Sequence, residues 1–308
     1  MKIAVIGSGA MGSLFGARIA LKGHEVTMVD VNQPLIEAIN STGMLLSDDN
    51  GEFVVPLKAA RAEELQEAVD LVILLTKNMY SRAAMKSALS IIGPETYVIT
   101  LQNGLGNMEL INEFVPLNRI LVGTTTLTST LLAPGRIKSF GQGVTRFMAA
   151  DGAANPMVDE LYKVLTEAGL GGVIAPDVFV AVWEKAAFNA AINCITAICR
   201  TPCGAVAQTR EGRLLAFQIA EEAAMVANAH GVPASAEAIT ANLATTFETH
   251  QNHVTSMAQD IFAHRRTEIM AINGEIIKKA KEVGLEVPRM ETLYALVRTI
   301  EETYAWQI

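Results

Sequence analysis

The chain opens on an apolar run, Ile3 to Ile6, that stops at Gly7-Ser8-Gly9-Ala10-Met11-Gly12. Glycines at the G-x-G-x-x-G spacing recur by chance, so the flanks decide what the match means. A β-rich run precedes it. A helical run follows from Ser13 to Lys22, with Leu14, Ala17, Ile19 and Leu21 at helical spacing and Gly23 as its stop. In that setting Gly7 allows a tight turn, Gly9 lets a pyrophosphate approach the backbone, and Gly12 lets the helix pack on the strand with its N-terminus facing the phosphates. The whole loop, with Ser8, Ala10 and Met11, is the candidate cradle of a dinucleotide. The alternative is a glycine turn without a ligand.

Strand signals at Val26–Val29, Leu71–Leu75, Tyr97–Leu101 and Ile120–Val122 continue the alternation with helical runs. Unbroken apolar runs such as Leu71–Leu75 are expected of parallel strands buried on both faces. The expected fold is therefore α/β, a Rossmann-type doubly wound sheet over residues 1–176. The β-like, Thr-rich stretch from Thr124 to Met148, with its Pro134-Gly135 turn, is expected to finish that sheet with antiparallel strands. After Asp177 strand signals nearly vanish. Helical patterns over about 178–199, 212–230, 234–248, 253–264, 267–283 and 289–306 make residues 177–308 an all-helical domain for substrate binding and catalysis.

Composition narrows the function. Half of the 308 residues are hydrophobic and 18% are charged, so the chain buries a sizeable core and is not disordered as a whole. A net charge of -8 disfavours nucleic acid and anionic membrane surfaces as partners. Three cysteines are no disulfide framework, and Cys194, Cys199 and Cys203 lack zinc-like spacing and are expected to pack as small hydrophobes. The N-terminus has no signal-peptide pattern, and no uninterrupted apolar run reaches spanning length, although Ala186–Cys199 comes near. A cytoplasmic location is expected, and no metal site.

Asp30 closes the second strand, where an acid hydrogen-bonds the adenosine ribose hydroxyls and repels a 2′-phosphate. No Lys or Arg occurs between Lys22 and Lys58 to neutralise such a phosphate. NAD is therefore preferred, with NADP kept open. The alternative is that Asp30 only caps the following turn. Two more loops follow strands at the carboxyl edge of the sheet. Thr76-Lys77-Asn78 makes Lys77 a cofactor candidate, against a solvated surface lysine. Gln102-Asn103-Gly104 makes Asn103 a candidate for cofactor or substrate, against a plain Asn-Gly turn.

In the helical half, Lys185, Asn189 and Asn193 recur every fourth residue and line one helix face among apolar neighbours. A buried lysine or amide is costly without a partner or a wet cleft, and a desolvated lysine has a lowered pKa that suits proton transfer. The alternative is a structural pair with a carboxylate. Ser256 and Asp260 share a second face, Asp260 being read as structural. Thr267 is expected to cap a helix with Glu268 in its first turn, which is also ordinary helix chemistry.

The segments GSGAMG (7–12), QNG (102–104), WEKAAFNAAIN (183–193), SMAQD (256–260) and TEIMAING (267–274) occur together in order. Over essentially its whole length the sequence resembles the ketopantoate reductase (2-dehydropantoate 2-reductase) family. The resemblance implies a Rossmann domain, a helical domain and a cleft between them. It implies Lys185 as the catalytic lysine at the 2-oxo oxygen and Glu268 as a catalytic residue that assists at the ribose, the substrate hydroxyl or Lys185. It also implies Asn103 positioning nicotinamide and substrate, with Asn189, Asn193 and Ser256 binding the substrate's hydroxyl and carboxylate. The implied partner is a small 2-oxo or 2-hydroxy acid, with 2-dehydropantoate to (R)-pantoate as the leading reaction and a homodimer as an open oligomeric state.

Two departures from the family pattern stand out. NADP-dependent members place a basic residue after the second strand, where this chain has Asp30 and Val31. The family's asparagine before a later glycine is Cys203 here, next to Gly204. Both departures suit an NAD-dependent D-2-hydroxyacid dehydrogenase for branched or aromatic, mandelate-like substrates as the alternative. Rivals of another class are a catalytically silent dinucleotide sensor and an S-adenosylmethionine-dependent methyltransferase.

Overall fold

The computed structural model describes residues 1–307. By its contacts the chain divides into two compact units, Met1–Gln102 with Asn107–Val178, and Asn103–Gly106 with Phe179–Ile308. The Asn103–Gly106 loop, which sequence order puts in the first half, thus groups with the helical unit.

The first unit carries β1 (Lys2–Ile6), α1 (Ala10–Ala20), β2 (Glu25–Val29), α2 (Gln33–Thr42), β3 (Met44–Asp48), β4 (Gly51–Val55), β5 (Lys58–Ala60), β6 (Leu71–Leu74), α3 (Asn78–Ser87), β7 (Tyr97–Thr100), α4 (Asn107–Ile111), β8 (Ile120–Thr125), β9 (Ser129–Ala133), β10 (Arg136–Ser139), β11 (Thr145–Ala149), α5 (Pro156–Glu167) and β12 (Gly172–Ile174). Its main sheet runs β12-β11-β8-β7-β6-β1-β2-β5. Strands β1, β2, β5, β6, β7 and β8 are mutually parallel. Taken in chain order they lie 3-2-1-4-5-6, the doubly wound dinucleotide-binding order. The order reverses between β1 and β6, so the loops after these two strands flank the switch point where such folds bind ligands. Every residue of β6 is buried, as is all of β1 after Lys2, which is why both read as unbroken apolar runs. Phe15 of α1 and Phe147 of β11 are fully buried in the core around this sheet.

The stretch after Thr124 departs from expectation. Only β11 adds to the main sheet as an antiparallel strand. The β9–β10 hairpin instead joins β3 and β4 in a separate sheet of order β4-β3-β10-β9, with β10 parallel to β3. Arg18 of α1 holds this second sheet by a 2.8 Å ion pair to Asp48, both side chains being mostly buried. β3 and β4, for which no strands were expected, pair antiparallel across Asp49-Asn50 with Asp48 opposite Gly51, and Gly51 takes φ +126.

The second unit is helical: α6 (Val178–Cys199), α7 (Cys203–Ala207), α8 (Arg210–Ala229), α9 (Ala236–Thr249), α10 (Ser256–Phe262), α11 (Glu275–Glu282) and α12 (Pro288–Glu302). By length and composition α6 is long and apolar enough to cross a membrane. Its Ala186, Ala187, Ala190, Ala191 and Cys194 are buried in the core of this unit, a cluster that also holds residues of α8 and α9. The helices expected over 253–264 and 267–283 are shorter. Thr255 caps α10 through its hydroxyl and delays it to Ser256. Before α11 comes a π-helical turn, Met270–Gly274. Such widened turns recur at functional sites because they reorient a side chain without ending the helix.

Candidate active site

In the first unit, Gly7 and Gly12 serve the fold directly. Gly7 has φ +97, and a Cβ there would lie 2.6 Å from the Thr76 backbone nitrogen. A Cβ at Gly12 would lie 1.9 Å from the Gly7 carbonyl oxygen. Gly9 differs, since a Cβ there would meet no protein atom within 4 Å. Ser8 is fully buried, yet its hydroxyl has no partner among the described residues. An open face at Gly9 and an orphaned hydroxyl beside it, at the N-terminus of α1, fit a bound pyrophosphate. Ala10 and Met11 continue this loop into the first turn of α1.

Asp30 ties the loop to the end of β2. One carboxylate oxygen accepts from Ser8 N–H at 2.7 Å, and the other from Val31 and Asn32 N–H at 2.8 and 2.9 Å. The turn-capping alternative for Asp30 is therefore present in the structure. The absence of Lys and Arg along residues 23–57 also counts for less than sequence order implied. Arg61, the first residue after β5, stands level with Asp30, because β2 and β5 are parallel neighbours in register at Val29 and Ala60. Lys77 is half-buried after β6, at the switch point and directly before α3. Its loop is held by a residue that received no role from the sequence. The buried Gln102 amide donates to the Thr76 carbonyl at 2.6 Å and to Ser81 Oγ at 2.7 Å, while its carbonyl accepts from Thr100 at 3.0 Å. A fully engaged amide of this kind fixes loop geometry.

In the second unit, three predicted residues from distant parts of the chain come together. Asn103 Nδ2 donates to Glu268 Oε2 at 3.2 Å. The Glu268 carboxylate acts electrostatically on Lys185, whose pKa is pushed down to about 8 by burial while Glu268 pulls it back up. The π turn that follows Glu268 organises this group. Its Ala271 carbonyl accepts from Leu105 N–H at 2.9 Å, and a Cβ on Gly104, at φ +83, would lie 2.3 Å from that same oxygen. Only glycine lets the Asn103 loop seat this closely. From the same turn the fully buried Asn273 donates to the Ala190 carbonyl of α6 at 3.3 Å and accepts from Cys194 Sγ at 3.3 Å. Burial holds that thiol protonated, with its pKa raised to about 12.

Lys185 and Asn189 are partly accessible on α6, while Asn193 is buried. Ser256 is the exposed first residue of α10. A 2.8 Å bond between Thr196 and Thr255 holds the start of α10 to α6, less than one turn past Asn193. Thr267 accepts from Ile269 N–H at 3.1 Å, a local turn that leaves Glu268 outside any α-helix, contrary to the expected first-turn position. The Asp260 carboxylate pairs with Arg265 at 3.0 Å. Cys194 and Cys203 pack as small buried groups, whereas Cys199 is exposed at the end of α6. Among the described residues no three His, Cys, Asp or Glu side chains gather as metal ligands. Asn273, Gln102, Thr196 and Arg61 were the positions missed. Of these only Asn273 carried a local signal, an amide directly after the apolar run Ile269–Ile272.

The chain matches the family described as Ketopantoate reductase PanE/ApbA over residues 3–152, and that family's C-terminal domain over residues 177–301. It is 32% identical to a 2-dehydropantoate 2-reductase of Streptococcus pyogenes, over 98% of each chain. It is 34% identical to one of Pyrococcus horikoshii, also over 98% of each. Among solved structures it resembles a D-mandelate dehydrogenase in complex with NADH and anilino(oxo)acetate, with TM-score 0.95, 30% identity, and 99% of this chain and 100% of that one covered. It also resembles a 2-dehydropantoate 2-reductase of Geobacter metallireducens, with TM-score 0.92, 27% identity, and 97% and 99% covered. An α/β sheet unit wound for a dinucleotide, a helical unit carrying a lysine of lowered pKa, and matches over both halves agree, and the chain belongs to the ketopantoate reductase family of oxidoreductases.

Proposed function

We propose that this protein reduces a 2-oxo acid to a D-2-hydroxy acid with a nicotinamide cofactor, NADH in preference to NADPH, and that 2-dehydropantoate to (R)-pantoate is its leading reaction. The observation that carries this reading is Lys185. It is an amine with a pKa of about 8, next to a carboxylate that is itself held by Asn103. Gly7, Ser8, Gly9, Ala10, Met11 and Gly12 hold the pyrophosphate, Asp30 accepts from the ribose, and Lys77 and Asn103 contact the cofactor further along. The bound nicotinamide supplies a hydride to the 2-oxo carbon.

The chain's own chemistry is the proton. Lys185 as ammonium hydrogen-bonds the 2-oxo oxygen and transfers a proton to it as negative charge develops there, so the product gains one hydride and one proton. A pKa near the working pH lets the same group give and take that proton. Glu268 keeps Lys185 charged in a desolvated place, and Asn103 keeps Glu268 oriented. Asn189, Asn193 and Ser256 bind the substrate's hydroxyl and carboxylate.

The second reading is an NAD-dependent dehydrogenase for a branched or aromatic D-2-hydroxy acid. It is supported by the full-length likeness to the D-mandelate dehydrogenase and by Cys203 in place of the family's asparagine. A silent dinucleotide sensor has no use for Lys185 with Glu268. Absorbance at 340 nm tests all of these, with NADH and NADPH each offered ketopantoate, benzoylformate and branched 2-oxo acids. Fastest turnover of ketopantoate supports the leading reaction, and fastest turnover of benzoylformate or a branched acid supports the second. Cofactor binding without turnover of any 2-oxo acid contradicts both.

A further inference from the structure

Glu268 joins two stretches of backbone that are held in different ways. On its C-terminal side its own carbonyl accepts from Ala271 and Ile272 N–H at 3.0 and 3.1 Å, which ties it to the π turn. On its N-terminal side, residues 265–267 lie outside any helix or strand. His264 takes a left-handed φ of 50°, and Arg265 N–H returns to the Asp260 carbonyl at 2.8 Å.

The far end of the chain holds that second stretch. Glu301, in the last turn of α12, accepts from Thr267 N–H at 2.6 Å with one carboxylate oxygen and from Arg298 at 3.1 Å with the other. Its side chain is 3% exposed. The short helical turn Tyr304–Trp306 follows. The Tyr304 hydroxyl donates to the Arg265 carbonyl at 2.8 Å, and its ring stacks on His264 with 4.8 Å between centroids. A buried carboxylate is expensive even when paired. α12 does not need this one to dock, since Met290, Leu293 and Val297 lie in the core and Glu222 accepts from Arg289 and Met290 N–H at its start. What Glu301 adds is a fixed point on the backbone one residue before Glu268.

We propose that Glu301 is a positioning residue of the lysine centre: it anchors the Thr267 backbone and so sets how Glu268 faces Lys185. The proposal rests on the reading of Lys185 as proton donor above. Glu301 touches neither substrate nor cofactor. The facing loop brings Asp260, His264 and Arg265 to the Glu301–Tyr304 segment, and α12 itself adds Arg298 and Glu302. Toward Lys185 the acting charge is Glu268, so Glu301 reaches the lysine through where it places that carboxylate.

The pH profile of reductive kcat at saturating NADH tests this. Glu301→Ala is expected to lower kcat by about 10–10²-fold, the effect of a small misplacement at a reacting group, and to move the alkaline fall to lower pH because Glu268 supports the lysine charge less well. Glu301→Gln keeps an oxygen that accepts from Thr267 N–H and is expected to restore most of both. With Glu268→Gln already present, Glu301→Ala is expected to move the fall no further. Thermal melts establish which variants fold. Where Glu301→Ala does not, Tyr304→Phe, which removes one hydrogen bond to the same stretch and keeps the ring, is expected to give a smaller shift in the same direction. A fall that these changes leave in place, or that moves equally when Glu268 is already replaced, overturns the positioning role and leaves the lysine reading standing. A wild type with no alkaline fall overturns the lysine reading, and this role with it.

Discussion

Gly7, Gly9 and Gly12 are close neighbours in sequence, and their roles follow from local geometry. Asn103 and Glu268 lie 165 residues apart and meet only in the folded chain. The glycine loop works by what it lacks: two positions cannot hold a Cβ against the protein, and a third leaves an open face. The lysine centre works by what surrounds it, since burial lowers the Lys185 pKa and Glu268 raises it. A motif of absent side chains can be read in a linear pattern. A balance of desolvation and charge cannot, because both terms depend on neighbours that sequence order does not show.

The largest effect should come from Lys185. Lys185→Ala is expected to lower kcat for 2-oxo acid reduction by about 10²–10⁴-fold, the usual contribution of a positioned proton donor. NADH binding, measured by fluorescence, should be retained. Full turnover in this variant breaks the contrast between a binding loop and a chemical centre.

Next come the glycines. Gly12→Ala puts a Cβ 1.9 Å from a backbone carbonyl and is expected to cost about 1–3 kcal/mol or more, seen as a lowered Tm without any ligand. Gly9→Ala meets no protein atom within 4 Å, so its stability should stay within about 1 kcal/mol of wild type while NADH affinity falls. The reverse pattern would show that Gly9 serves the fold and not a ligand.

Asn273→Ala should act through position. It removes the bonds to the Ala190 carbonyl and to Cys194, at a cost of about 1–3 kcal/mol in chemical denaturation. Because the same turn follows Glu268, kcat should fall and the pH dependence of kcat should change. A loss of stability with an unaltered pH profile would make Asn273 purely structural.

How much was legible differs between the units. The parallel core strands, the glycine loop and the split into sheet and helices were visible, since unbroken apolar runs and helical spacing are local signals. The second sheet was missed because β9 and β10 look like continuations of β8, and pairing partners such as β3 are chosen by tertiary packing. The Lys185–Asn189–Asn193 face was visible from its spacing. The π turn was not, since it is set by the Asn273 contacts to α6 and by the close seat of Gly104. The nearness of Arg61 to Asp30 was not visible along the chain, because Arg61 arrives from the neighbouring strand.

The pH dependence of reductive kcat at saturating NADH, in wild type and Glu268→Gln, tests the lysine centre most directly. Reduction needs Lys185 protonated, so activity should hold below its pKa and fall as pH rises through about 8. Glu268 raises that pKa, so Glu268→Gln should move the fall to lower pH. A rate that stays flat well past the ordinary lysine range, or a limb that Glu268→Gln leaves in place, would contradict a desolvated Lys185 as the proton donor.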